Sequence, residues 1–119
     1  MPEPIVVLDA NKQTSKRVCA VLKQQDYQTT ALYSPTNLEK NIQQDDRQII
    51  IVDLDSVSAD NRFFRGLRRK NPGICIIVLS SRSFHPELEE AMSRDIYACL
   101  GKPVDDEELV FWVKSLCDL

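Results

Sequence analysis

The sequence predicts an α/β protein: a single-domain, doubly wound sheet of five parallel strands with helices on both faces. Short strand-like segments alternate five times with segments whose apolar residues are three or four positions apart, as on one face of a helix. Alternation at this spacing favours parallel strands joined by right-handed helical crossovers. The chain of 119 residues, 43% hydrophobic and 28% charged, suffices for one domain with a substantial core, which we expect to span residues 1–119.

Five segments carry strand patterns. Four are apolar runs, and the second is rich in threonine, which is also common in strands. They lie at Ile5–Leu8, Tyr27–Tyr33, Ile49–Val52, Ile74–Leu79 and Tyr97–Leu100. The third begins with four consecutive β-branched residues, which indicates a strand buried on both faces of the sheet.

Five helices are predicted between and after these strands. Ser34 is a typical N-cap and is followed by proline at the first helical position, while Asp105 and Asp106 suit the positive end of a helix dipole. The predicted helices are Thr14–Gln25, one that begins at Ser34, one that Asp60 caps and Asn71–Gly73 ends, Pro86–Arg94, and one that begins at Asp105.

Composition excludes several classes of function. The net charge of −3 argues against direct binding to nucleic acid or to an anionic membrane. The longest aliphatic or cysteine run, Ile74–Leu79, is too short to span a bilayer, and Met1–Pro4 lacks the basic start and apolar centre of a signal peptide. The cysteines are scattered and indicate reduced thiols rather than metal ligands, so we expect a cytoplasmic protein.

Polar residues follow the predicted strands at the edge where such folds bind ligands. Asp9 follows the first strand, Asp53 and Asp55 the third, Ser80 the fourth and Lys102 the fifth. Carboxylate oxygens suit Mg²⁺, and a lysine with a hydroxyl suits a phosphoryl group. Asp53 would then be a nucleophile that takes phosphate as an acyl phosphate.

These residues resemble those of a known family, the receiver domain of bacterial two-component response regulators. The resemblance covers essentially the whole chain and rests on Asp9, on Asp53 after Ile-Ile-Ile-Val, on Ser80 in Val-Leu-Ser-Ser and on Lys102 in Gly-Lys-Pro. It implies a flavodoxin-like (βα)5 fold. It also implies that Asp53 is the phosphoacceptor, Ser80 the switch hydroxyl and Lys102 the phosphate-binding lysine.

For the metal, the resemblance implies Mg²⁺ held by Asp9, Asp53 and the backbone carbonyl of Asp55. Two residues depart from the family pattern. Ala10 stands where the family has the second member of an acidic pair, which is the direct metal ligand, and Cys99 replaces the switch aromatic. A methyl group cannot coordinate a cation, so weak or absent Mg²⁺ binding is expected. The peptide after Lys102 is often cis in this family.

The resemblance implies a signalling module rather than an enzyme. It would accept phosphate from a sensor histidine kinase or phosphotransfer protein and act on an output domain or partner protein. The change would affect the face of helix four, strand five and helix five, where a homodimer can also form. A phosphorylation-independent pseudo-receiver is the first alternative. The second is a haloacid-dehalogenase-like phosphatase, because Asp53–Val57 matches its nucleophile motif, with Asp55 as general acid.

Overall fold

The five predicted strands form one parallel sheet. The computed structural model describes residues 5–42 and 48–117, so the expectations for Met1–Pro4 and for the two ends of the domain lie outside the described residues. The strands are β1 (Ile5–Leu8), β2 (Thr29–Leu32), β3 (Gln48–Asp53), β4 (Ile74–Ser80) and β5 (Ile96–Gly101). Their order in the sheet is β2-β1-β3-β4-β5, and every neighbouring pair is parallel. The predicted fold class is confirmed.

Helices cover both faces of the sheet. They are α1 (Lys12–Gln24), α2 (Pro35–Asn41), α3 (Asn61–Lys70), α4 (Glu89–Arg94) and α5 (Asp106–Cys117). Because successive side chains of a strand point to opposite faces, β3 serves two cores. Ile50 and Val52 lie in the cluster that contains residues of α2, α3 and α4, whereas Ile49 and Ile51 lie in the cluster that contains residues of α1 and α5.

Several predicted element boundaries differ from the observed ones by one to three residues, including those of the second strand and the fourth helix. The second strand begins at Thr29 rather than Tyr27, because the Tyr27 N–H donates to the Leu22 carbonyl at 3.1 Å and so completes the end of α1. The predicted helix Pro86–Arg94 divides into a 3₁₀ turn at Pro86–Leu88 and the short helix α4.

The register of the sheet places the strand ends at one level. Leu8 of β1 pairs with Val52 of β3, so Asp9 and Asp53 are the next residues on neighbouring strands. Asp53 pairs with Leu79 of β4, and Ser80 pairs with Gly101 of β5. The polar residues that follow the strands therefore converge at a single edge. No helix within residues 5–42 and 48–117 has the length and apolar character needed to cross a membrane.

Candidate functional site: an acidic pocket with one lysine

The structure brings the lysine that follows β5 to the carboxylates that follow β3. Lys102 Nζ lies 2.6 Å from Asp53 Oδ1 and 3.2 Å from Asp55 Oδ2. Asp53 is buried, with 2% of its surface exposed, whereas the Lys102 side chain is 20% exposed. The Lys102–Pro103 peptide is cis, as the resemblance implied. An ammonium group thus faces two carboxylates at the edge of the sheet.

Asp9 is equally buried and accepts hydrogen bonds on both of its oxygens. Its Oδ1 accepts from the Asn11 N–H at 2.8 Å, and its Oδ2 accepts from the Thr14 hydroxyl. The Asn11 side chain instead caps α1 by accepting from the N–H groups of Gln13 and Thr14. Asp9 and Asn11 together therefore hold the start of α1 in place.

Ser56 is a member of the site that the sequence indicated only as part of the phosphatase motif. Its hydroxyl lies 2.8 Å from Asp9 Oδ1 and 3.1 Å from Asp53 Oδ2, and it accepts from the Ala10 N–H at 3.0 Å. A turn after β3, in which the Val57 N–H donates to the Asp53 carbonyl at 3.1 Å, brings it over the carboxylate. The signal in the sequence was a hydroxyl three residues after a strand-end aspartate.

Ser80 lies at the predicted edge but is engaged elsewhere. It is buried, and its Oγ accepts from the Arg82 N–H at 3.0 Å. The neighbouring Ser81 contacts the acidic cluster instead, since its N–H and hydroxyl donate to Asp55 at 3.2 and 3.1 Å. Asp55 and Ser80 also line an open cavity of about 440 Å³ beside the pocket. Of the two adjacent hydroxyls, Ser81 is the one bonded to a pocket carboxylate.

The environment shifts the pKa values of three groups in the pocket. Burial raises the pKa of Asp53 above its ordinary value, although the Lys102 ammonium opposes the increase. Burial acts in the same direction on Asp55, but hydrogen bonds from Ser81 and Lys102 outweigh it and lower the pKa of Asp55. Burial would lower the pKa of Lys102, yet its two carboxylate partners raise it. Lys102 and Asp55 are therefore ionised at neutral pH, and Asp53 ionises at a cost.

The side-chain oxygens of Asp9 and Asp53, two of the expected magnesium ligands, have protein partners in this arrangement. The oxygens of Asp9 and Asp53 accept hydrogen bonds from neighbouring protein groups, and Ala10 offers a methyl group where a carboxylate is expected. The Asn11 oxygen is used as the helix cap. Within the described parts of the chain, no three His, Cys, Asp or Glu side chains are grouped so that they could hold a metal.

The face formed by α4, β5 and α5 carries exposed aromatic side chains. Phe111 is 61% exposed and Tyr97 48%, and both contact Trp112 edge to face, with ring centroids 5.5 and 5.7 Å away. Cys99, which occupies the position of the switch aromatic, is also exposed, and partial burial raises the pKa of its thiol. The thiol therefore remains protonated at neutral pH.

Comparison with known proteins identifies the family and the fold of the chain. The sequence model of the response regulator receiver domain matches residues 5–114. A comparison with curated protein sequences gave no match. Solved structures show the same fold at low identity. They include a CheY-like receiver domain protein from Methanospirillum hungatei JF-1, at 14% identity and a TM-score of 0.84, with 99% of this chain and 95% of the other covered. The chemotaxis response regulator CheY4 of Vibrio cholerae is 17% identical, with a TM-score of 0.80, and 98% of this chain and 99% of the other are covered. A putative pilus assembly protein, cpaE, from Burkholderia thailandensis E264 is also 17% identical, with a TM-score of 0.80, and 99% of this chain and 100% of the other are covered. The chain belongs to the response regulator receiver domain family.

Proposed function

We propose that this chain is a signalling module in which Asp53 accepts a phosphoryl group from a histidine kinase or a phosphotransfer protein. Receiver domains of two-component systems are generally phosphorylated on an aspartate, interact with such donors and act on output domains. The observation that supports Asp53 is its contact with Lys102, at 2.6 Å, on the carboxyl edge of a parallel sheet. A buried carboxylate beside an ammonium group is suited to receive a dianionic group, because the ammonium offsets part of the added negative charge.

The proposed transfer is a single displacement at phosphorus. A carboxylate oxygen of Asp53 attacks the phosphorus of a donor phosphohistidine, an O–P bond forms, and the N–P bond breaks with its electron pair returning to the imidazole. The Lys102 ammonium, which contacts a carboxylate oxygen before the transfer, then contacts a phosphoryl oxygen. The Ser56 hydroxyl, 3.1 Å from Asp53 Oδ2, must move away from that oxygen if it is the one that attacks.

Intact mass spectrometry after incubation with phosphoramidate tests this proposal. We expect the wild-type chain to gain one phosphoryl group and Asp53→Asn to gain none. Asp60→Asn is a matched control, because Asp60 caps α3 by accepting from the Phe63 N–H at 2.8 Å and lies outside the pocket. A wild-type chain that stays unmodified with and without Mg²⁺ would refute Asp53 as a phosphoacceptor.

A phosphorylation-independent binding module is the second candidate, and Ala10 is the observation that favours it. Receiver domains typically bind Mg²⁺ in the acidic pocket, and this chain lacks one of the usual carboxylates there. In this case the exposed aromatic face of α4, β5 and α5 would bind a partner protein or a second copy of the chain. Sedimentation of wild type and Phe111→Ala, each with and without phosphoramidate, separates a constitutive dimer from one that phosphorylation induces.

A haloacid-dehalogenase-like phosphatase has less support. Its general acid would be Asp55, whose pKa is lowered by Ser81 and Lys102, so the group holds no proton to donate at neutral pH. Such a phosphatase would also need an acidic pair later in the chain, for which Asp105 and Asp106 are the candidates. Both are engaged elsewhere, since Asp106 pairs with Arg17 at 3.1 Å and Asp105 caps α5 by accepting from the Glu108 N–H at 3.1 Å. We expect no turnover of a generic phosphate ester.

A further inference from the structure

We propose that the Ser56 hydroxyl, rather than a divalent cation, joins the two buried carboxylates of this pocket, so that the pocket forms without metal. The inference rests on the proposed function only in taking this acidic pocket to be the functional site. It does not require that Asp53 be phosphorylated, and it concerns a residue to which the family resemblance assigns no role.

The hydroxyl occupies the position that a shared cation would take. Ser56 Oγ lies between Asp9 Oδ1 and Asp53 Oδ2, at 2.8 and 3.1 Å, which is where a cation shared by the two carboxylates would have to be. It approaches both oxygens as a hydrogen-bond donor, and its single proton serves one of them at a time. The hydroxyl thereby separates two like charges that would otherwise face each other.

Ala10 supports this arrangement through its backbone. Its N–H donates to Ser56 Oγ at 3.0 Å and so orients the hydroxyl toward the carboxylates. A carboxylate side chain at position 10 would add a third acidic group next to Asp9 and Asp53. Ala10 therefore lacks the carboxylate that would bind a metal, and its backbone N–H positions the Ser56 hydroxyl that takes the place of the metal.

Each oxygen of the two carboxylates has a donor in the protein. Asp9 Oδ2 accepts from Thr14, and Asp53 Oδ1 accepts from Lys102 at 2.6 Å and from the Asp55 N–H at 3.2 Å. The Ser56 hydroxyl is a donor to the remaining oxygen of each carboxylate, Asp9 Oδ1 and Asp53 Oδ2. A cation in this position would have to compete with these donors for the carboxylate oxygens.

Metal binding and melting together test the inference. We compare wild type, Ser56→Ala, Ser56→Thr, Ala10→Asp and the double variant that combines Ala10→Asp with Ser56→Ala. Mn²⁺ binding is titrated by the electron paramagnetic resonance of the free ion, and Tm is measured in EDTA and in excess MgCl₂. Ser58→Ala is a matched control, because Ser58 is exposed in the same loop. Ser56 is itself exposed at the mouth of the pocket, so we expect its variants to fold.

We expect wild type, Ser56→Thr and Ser58→Ala to have the same Tm in EDTA and in MgCl₂. Ser56→Ala should melt about 3–8 °C lower in EDTA, because the one donor that the two carboxylates share is lost, and MgCl₂ should recover much of that loss. Ala10→Asp combined with Ser56→Ala should bind Mn²⁺ about 10–100-fold more tightly than wild type.

Two results would overturn the inference. One is a wild-type Tm that rises in MgCl₂ as much as that of Ser56→Ala. The other is a Ser56→Ala variant that matches Ser58→Ala in both solutions. If Ser56→Ala does not fold, Mn²⁺ binding by the other variants decides the matter. Tight Mn²⁺ binding by wild type refutes the inference. Weak binding by wild type together with tight binding by Ala10→Asp supports it. The phosphoramidate result is independent, since an unmodified wild type with the expected melting pattern rejects only the proposed function.

Discussion

Lys102 places its ammonium group 2.6 Å from a carboxylate that is 2% exposed, and replacing it with methionine removes the charge but keeps an unbranched side chain. Removing one partner of a buried ion pair costs about 3–5 kcal/mol, because the other charge remains buried without a counterion. The Lys102 side chain is 20% exposed, so solvent screens part of this loss. We therefore expect Lys102→Met to lower the free energy of unfolding by about 2–3 kcal/mol, which is a decrease in Tm of roughly 6–12 °C for a domain of this size.

Urea unfolding followed by circular dichroism measures this loss. Asp53→Asn combined with Lys102→Met should recover most of it, since an amide needs no counterion. Lys114→Met, which alters an exposed lysine on α5, is the control and should change little. The reasoning fails if Lys102→Met unfolds within about 0.5 kcal/mol of wild type, or if the double variant is no more stable than Lys102→Met.

Three further predictions concern pH and packing. Asp53→Asn alone should raise Tm at neutral pH. Because the pKa of Asp53 is raised in the folded chain, the gain in stability is full above that raised pKa and disappears below the ordinary pKa of an aspartate. Asp55→Asn should destabilise the folded chain at neutral pH. Because the pKa of Asp55 is lowered in the folded chain, this loss of stability disappears as pH falls through the lowered value. Urea unfolding at a series of pH values measures it. Phe64→Ala, at a fully buried position, should cost about 3–5 kcal/mol in urea unfolding, whereas Phe111→Ala, at a side chain that is 61% exposed, should cost under about 0.5 kcal/mol.

The fold could be predicted because its signal is repeated along the chain. Buried parallel strands require continuous apolar runs, and residues such as Ile49–Val52 have few alternatives to a central strand. The boundaries depend on single hydrogen bonds, which composition does not determine. Tyr27 has the pattern of a strand residue, yet its N–H completes the end of α1. Pro86 begins a 3₁₀ turn rather than a regular helix, and its sequence favours either start.

The site could be predicted in part, by a rule about topology rather than about contacts. Strand ends meet at one edge of a parallel sheet, which places the backbones of Asp9, Asp53 and Lys102 at the same edge. The choice between Ser80 and Ser81 was not accessible in this way. Adjacent residues of a strand point to opposite faces, so a difference of one position at the end of β4 decides which hydroxyl reaches Asp55.

Ala10 shows why a missing functional residue has to be interpreted together with its neighbours in space. In the sequence it indicates only the loss of a metal ligand, and nothing in the sequence connects it with Ser56, 46 positions away. In the folded chain the two are in contact, and the pocket holds the carboxylates of Asp9, Asp53 and Asp55 against one ammonium group. A further carboxylate at position 10 would add charge that a cation must neutralise. The substitution therefore lowers the demand for a cation as well as the ability to bind one, and both effects favour a pocket that its own hydrogen bonds hold together.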